Sequence, residues 1–279
     1  MKLMTSADLA GFENPPPDAR IHYGDDPLQF GDLRLPEGDG PHPVAVFIHG
    51  GCWKAEYDIR HSSKLAAAIA ESGVATWSLE YRRVGNDGGG WPGTFTDIGG
   101  GADHLRSIAE NHSLDLERVI AMGHSAGGHL ALWLAARSRI PAEVDIGKAE
   151  PIALKGVLAM APAADLAYLY GTKVCDHVVD GLMGGSPEDV PERYRWADPV
   201  QLGPDGVPQV LLFGKYDDDW NPAGERYLEA AMIRGDNVRT ILADESGHFE
   251  MIDPDTTTWP IVADAVHDMA GTGRHQRDG

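Results

Sequence analysis

Cysteine is scarce in this 279-residue chain, which has two, Cys52 and Cys175. Two cannot build the dense disulfide framework of a small secreted domain, and both are expected to be free thiols. Basic residues are few as well: 23 Lys and Arg stand against 43 Asp and Glu, a formal net charge of −20. That deficit excludes general nucleic-acid binding, because phosphates need Lys and Arg, and it argues against anionic membrane surfaces. No apolar run approaches the roughly 20 residues that cross a bilayer. The segment from Met1 to Asp18 lacks the basic start and apolar centre of a secretory signal, so the expected location is cytoplasmic. Internal repeats are absent.

What remains is ordinary globular composition, 42% hydrophobic and 24% charged. The length suits one domain over residues 1–279 with a sizeable core. Apolar runs at 44–49, 74–81, 118–122, 156–160, 209–213 and 238–242 read as buried strands. Helical spacing marks 61–72, 97–111, 126–139, 223–234 and 257–269. Residues 28–35 alternate apolar and polar, which predicts an outer antiparallel strand. Strand and helix alternate, so the class is α/β with a mostly parallel central sheet flanked by helices. The rhythm fails over 164–208, a stretch with Gly184-Gly185, Pro187, Pro191, Pro199 and Pro204. It is too long for an ordinary connection and is expected to be a small cap or lid insertion. The tail from Gly271 is expected to fray.

Gly123-His124-Ser125-Ala126-Gly127 falls between a strand and a helix. A strand-to-helix turn that sharp needs small residues beside the serine, and it lifts the hydroxyl to a helix N-terminus, where negative charge is favoured. In that context the motif resembles the nucleophile elbow of the α/β-hydrolases, and Ser125 is the candidate nucleophile. The same fold sets an oxyanion loop after the first central strand, where His49-Gly50-Gly51-Cys52-Trp53 stands. Two glycines let N–H groups turn toward a developing oxyanion. The expected donors are the N–H of Cys52 or Gly51 with that of Ala126, and His49 is expected to brace the loop. A thiol nucleophile at Cys52 has no His and carboxylate pattern of its own.

In this fold the acid and then the histidine follow the serine. Of the late histidines, His267 lies in the last helix pattern and His275 in the tail. His248, in a loop after the last strand, is the candidate base. The acid should follow the strand at 209–213, where Asp217, Asp218 and Asp219 are consecutive. G-x-x-D spacing favours Asp217, its neighbours being solvated or capping the next helix. Asp165, after an earlier strand, is the outside candidate, with a cap or turn as its plain role.

Three motifs then resemble one branch of the superfamily: H-G-G-x-W (His49 to Trp53), G-H-S-A-G-G-H-L (Gly123 to Leu130) and G-H-F-x-x-I-D-P (Gly247 to Pro254). This is the arylformamidase-like branch, with kynurenine formamidases and small carboxylesterases. Glu80-Tyr81-Arg82-Arg83, Gly90-Trp91-Pro92, Gly184 to Pro187 and Pro191 to Tyr194 look similar too. The resemblance implies a serine hydrolase with Ser125, Asp217 and His248 as its triad. It also implies a small-molecule substrate, an ester of a small or aryl acyl group or an amide such as N-formylkynurenine. After the acid the chain has Trp220-Asn221-Pro222 where many hydrolases have Val-Pro.

Trp53, Trp91, Trp196, Trp220 and Phe249 are candidates to line the substrate pocket, with Tyr57, Tyr168 and Tyr170 as further candidates. His124 reads as a packed neighbour of the serine. No cofactor and no metal are implied, since no ligand spacing is evident. A homodimer is left open. The competing reading is a hydrolase-like fold that only binds a ligand.

Overall fold

The computed structural model describes residues 2–147, 150–204 and 206–273. Its strands are β1 (Ala19–His22), β2 (Phe30–Arg34), β3 (His42–Ile48), β4 (Ala75–Leu79), β5 (Leu114–His124), β6 (Gly156–Met160), β7 (Gln209–Gly214) and β8 (Val238–Ala243). Among the described residues they form one eight-stranded sheet in the order β1-β2-β4-β3-β5-β6-β7-β8. β2 pairs antiparallel with β1 and β4, and the other pairings are parallel. The expected outer strand at 28–35 is therefore second from the edge. β1 covers it, and at four residues is too short to announce itself by alternation.

The helices are α1 (Ser63–Glu71), α2 (Gly93–Asp103), α3 (Leu105–Ile108), α4 (Ala126–Ala136), α5 (Leu166–Thr172), α6 (Val174–Met183), α7 (Pro191–Ala197), α8 (Pro199–Leu202), α9 (Asn221–Arg234) and α10 (Trp259–Ala270). The central strands are apolar throughout because helices cover both faces, and their period of two divides them cleanly. Val44, Val46, Ile48, Val119, Ala121, Val157, Ala159, Leu211 and Phe213 join the core that includes α2 and α4. Ala45, Phe47, Ile120, Met122, Leu158, Met160, Val210 and Leu212 join the other, with α1 and α10. Every residue of α4 is buried, so the helix behind the elbow is a fixed part of the interior.

The segment over 164–208 carries α5 to α8 and is tied to the body by hydrogen bonds. Trp133 Nε1–H donates to the Trp196 carbonyl at 2.9 Å, and Trp91 N–H to the Leu182 carbonyl at 2.7 Å. Asp165 caps α5 by accepting the Tyr168 N–H at 2.8 Å, and it takes Arg226 Nε at 2.6 Å. It is a cap and an ion-pair partner, and the histidine is paired with Asp217 instead.

Cys52 and Cys175 are joined in a disulfide with a Cα–Cα distance of 6.3 Å, which corrects the expectation of two free thiols. The partners are 123 residues apart, and only the fold brings α6 against the loop after β3. The tail begins with an ordered stop: Gly271 takes a left-handed φ of 68° after α10, and the Thr272 N–H donates to the His267 carbonyl at 2.9 Å. His275 and the rest of 274–279 lie outside the described residues.

Candidate active site

The elbow follows from close packing. Ser125 has φ 56° and ψ −118°, a conformation that costs a non-glycine residue on the order of 1–3 kcal/mol. The surroundings hold it there. Its N–H donates to the Met160 carbonyl at 2.9 Å, and its carbonyl accepts the N–H groups of Ala163 and His129, both at 3.1 Å. A Cβ on Gly123 would collide with the Gly127 carbonyl, and one on Gly127 with the Ile48 carbonyl. Both glycines of the motif are thus required by backbone approach. Ala126 is the first residue of α4, so its N–H has no intrahelical acceptor.

Across the cavity, His248 Nδ1 and Asp217 Oδ2 are 2.7 Å apart. The loops that carry them follow β8 and β7 and are stitched together by the Tyr216 N–H donating to the Ser246 carbonyl at 3.0 Å. Asp217 is buried, whereas Asp218 and Asp219 are exposed. The Trp220 ring stacks on His248 with centroids 5.0 Å apart at 19°, and the His124 ring lies 4.6 Å away at 52°.

The loop after β3 rests on a buried ion network. Glu80 holds Arg83 in a short ion pair, accepts the N–H of Ile59 and Tyr81 at 3.0 Å each, and approaches His49 Nε2 at 3.3 Å. Burial pushes the Glu80 carboxyl up, but His49, Arg83 and the Ile59 N–H outweigh it and hold it below its ordinary range. Tyr81 Oη–H donates to the His49 carbonyl at 2.9 Å. Glu80, Tyr81 and Arg83 of the motif are therefore the foundation of this loop, while Arg82 pairs with Asp97. Above it Gly51, Cys52 and Trp53 take φ of 106°, 52° and 53°, and the Lys54 N–H closes onto the Gly51 carbonyl at 2.9 Å.

Ser125, His248, Gly51 and Cys52 line one cavity of about 180 Å³, with Ser6, Leu9, Tyr57, His61, His124, Trp220 and Phe249. The residues expected at the site thus converge, but five of the expected lining residues do not. Trp53 is fully buried, because the left-handed turn sends it inward, where Nε1–H donates to His129 Nδ1 at 3.2 Å. Trp91 packs on Phe95, and Trp196 lies under the Arg195 guanidinium at 4.7 Å. Tyr168 and Tyr170 pack against the core, away from the cavity. Sequence reasoning missed Ser6, Leu9 and His61. Ser6 and Leu9 belong to an N-terminal arm that lies against the mouth, anchored by the Met4 N–H donating to Glu250. Ser6, Leu9, Tyr57 and His61 also border a second, more polar cavity of about 500 Å³, with Glu56, Asp58 and Arg60. Among the described residues no group of three or more His, Cys, Asp or Glu is arranged to hold a metal ion. Among the same residues no helix is long and apolar enough to cross a membrane.

The BD-FAE family model matches residues 32–230. Esterase LipC of Mycobacterium tuberculosis is 24% identical over 238 residues, 83% of this chain and 57% of that protein. The isoprenylcysteine alpha-carbonyl methylesterase ICME of Arabidopsis thaliana is 35% identical over 116 residues, 40% of this chain and 26% of that protein. The chain thus spans less than two thirds of either relative. Among solved structures, esterase B of Lactobacillus Rhamnosis with a C4-C4 SN3 tributyrin phosphonate has a TM-score of 0.80 at 20% identity, covering 95% of this chain and 90% of that one. This likeness is one of fold, the α/β-hydrolase fold that the motifs implied.

Proposed function

The chain belongs to the BD-FAE family, and from that premise we propose that it is a serine esterase cleaving carboxylic esters with short acyl groups. The observation that carries this reading is the single cavity lined by both Ser125, at its strained elbow, and His248, whose ring is held from behind by Asp217. Ser125 Oγ attacks the ester carbonyl as His248 Nε2 takes its proton. Asp217 keeps the Nδ1–H tautomer and stabilises the imidazolium. The N–H groups of Ala126 and of Cys52 or Gly51 receive the oxyanion. His248 then protonates the departing alcohol, and water, activated by the same base, releases the acid.

The substrate class rests on size and lining. A cavity of about 180 Å³ is smaller than the roughly 300–1,000 Å³ of a typical drug-sized site. Leu9, Tyr57, Trp220 and Phe249 give it an apolar wall, which suits a short acyl chain. The larger neighbouring cavity, bordered by Glu56, Asp58 and Arg60 as well as by Leu9 and Phe12, receives the alcohol part. The named relatives are esterases, which supports ester over formamide as the bond cleaved.

The test is turnover of p-nitrophenyl acetate, butyrate and octanoate beside N-formylkynurenine, with Ser125→Ala as control. Ester turnover that favours the shorter chains and vanishes in the variant is expected. Far higher kcat/KM on the formamide would move the assignment to an amide hydrolase. Failure on every substrate with the fold intact would leave a binding protein.

A further inference from the structure

Three histidines stand in line behind the cavity. His124 Nε2 lies 2.8 Å from the main-chain carbonyl of His248, and His124 Nδ1 lies 3.1 Å from His61 Nε2. A carbonyl can only accept, so His124 must carry its proton on Nε2. A neutral ring then offers a lone pair at Nδ1, and His61 must donate to it from its own Nε2. That leaves His61 Nδ1 as a lone pair, and it is a buried nitrogen with no hydrogen-bond partner. Each proton position follows from the one before it.

We propose that His61 and His124 form a directed relay that positions His248: His61 Nε2–H to His124 Nδ1, and His124 Nε2–H to the His248 carbonyl. The proposal rests on the reading of His248 as the base. The ring of His248 is fixed by Asp217 and its main chain by His124, so the imidazole is held at two points. His124 is also the residue before Ser125, so the relay ties the nucleophile's turn to the base's loop. It reaches the oxyanion loop as well. A Cβ on Gly50 would stand 2.7 Å from the His124 carbonyl oxygen and 3.1 Å from His61 Nε2. Three loops that must stay in register for acyl transfer thus meet at two imidazoles. Both rings stay neutral, because burial pushes His61 down to about 3 and His124 well below its ordinary value. An imidazolium in either place would oppose the one that forms on His248.

The second histidine of the same motif bridges in a parallel way. His129 accepts Trp53 Nε1–H at Nδ1 and faces the Ala197 carbonyl with Nε2 at 2.9 Å. That bridge ends on the helical segment over 164–208. The His124 bridge ends instead on the loop that carries the base.

Two measurements on the full chain test the relay. Long-range ¹H–¹⁵N spectra of the wild type should give both His61 and His124 as neutral Nε2–H tautomers. A proton on His124 Nδ1, or a charged ring at pH 7, would overturn the proposal whether or not any ester is turned over. Kinetics on p-nitrophenyl butyrate compare His124→Phe, which keeps a ring, with His124→Gln, whose amide N–H can reach the same carbonyl. Below the melting temperature of both, the Phe variant should lose about tenfold in kcat, one hydrogen bond's worth, with KM within about twofold. The Gln variant should recover to within about threefold of the wild type. A Phe variant with wild-type kcat, a loss confined to KM, or a folded Gln variant as slow as Phe would each refute positioning. If the esterase reading itself is wrong, the wild type turns over no ester or Ser125→Ala leaves its turnover unchanged, while the spectra still decide the relay.

Discussion

His248 Nδ1 faces Asp217 Oδ2 at 2.7 Å across two loops that follow neighbouring parallel strands. The next two aspartates are exposed. A carboxylate in this place holds the tautomer that leaves Nε2 free to take a proton. Asp217→Asn should therefore lower kcat by about 10⁴-fold, while Asp218→Asn and Asp219→Asn change it less than twofold. Steady-state kinetics on a p-nitrophenyl ester checks this, and a large loss at Asp218 or Asp219 would move the acid.

Leu9 borders both the cavity that holds Ser125 and the larger one beside it. Shortening it opens space beside the proposed acyl site. Leu9→Ala should raise the ratio of octanoate to acetate in kcat/KM about tenfold, within the range that apolar pocket changes produce. An unchanged ratio would mean that the arm does not shape specificity.

The disulfide pins the loop after β3 to α6. Its removal by Cys175→Ser should destabilise the chain by about 2–4 kcal/mol and lower kcat, since the loop also carries Gly51 and Cys52, the proposed oxyanion donors. Urea denaturation and ester kinetics on the variant measure the two effects. A variant with full stability and rate would show that Glu80 and Arg83 alone hold the loop. Disulfides persist mainly in oxidising compartments, so this bond stands against the expected cytoplasmic location.

Stability should fall on acidification. Burial pushes His61 down to about 3 and His129 down to about 4, whereas unfolded histidine titrates near 6.5. Between those limits the unfolded chain binds more protons, so their contribution is full above about pH 6.5 and is lost as pH falls toward 4. Asp198 acts in the opposite sense. Burial and the neighbouring Asp165 push its carboxyl up to about 7, so its penalty eases as pH falls. His61 and His129, joined by the similarly buried His124, outweigh that one carboxyl. The urea midpoint should drop between about pH 6.5 and 4, and His129→Gln should flatten the drop. An equal slope in the variant would refute the assignment.

The elbow was legible because its chemistry is local. Gly123 and Gly127 are demanded by backbone contacts within and beside the motif, and the order serine, acid, histidine is a property of the fold. The strands β3, β5, β6 and β7 were legible because burial on both faces leaves a continuous apolar run. Trp53 was misread because its type reports burial and says nothing of direction. Its neighbour's φ of 52° and its own of 53° turn it under the loop. The pairing of Cys52 with Cys175 needed the position of α6, which no local pattern carries. The arm with Ser6 and Leu9 is polar and nearly without regular structure, so only the folded chain reveals where it lies. His61 lay in an expected helix, but its partner is 63 residues away.

Covalent labelling tests the central claim most directly. A p-nitrophenyl alkylphosphonate reacts with an activated serine to form an Oγ–phosphorus bond and release p-nitrophenolate. The account predicts one equivalent of label per chain on the peptide that contains Ser125, none in Ser125→Ala, and a much slower reaction in His248→Ala. Label on another residue, or undiminished label in Ser125→Ala, would contradict it.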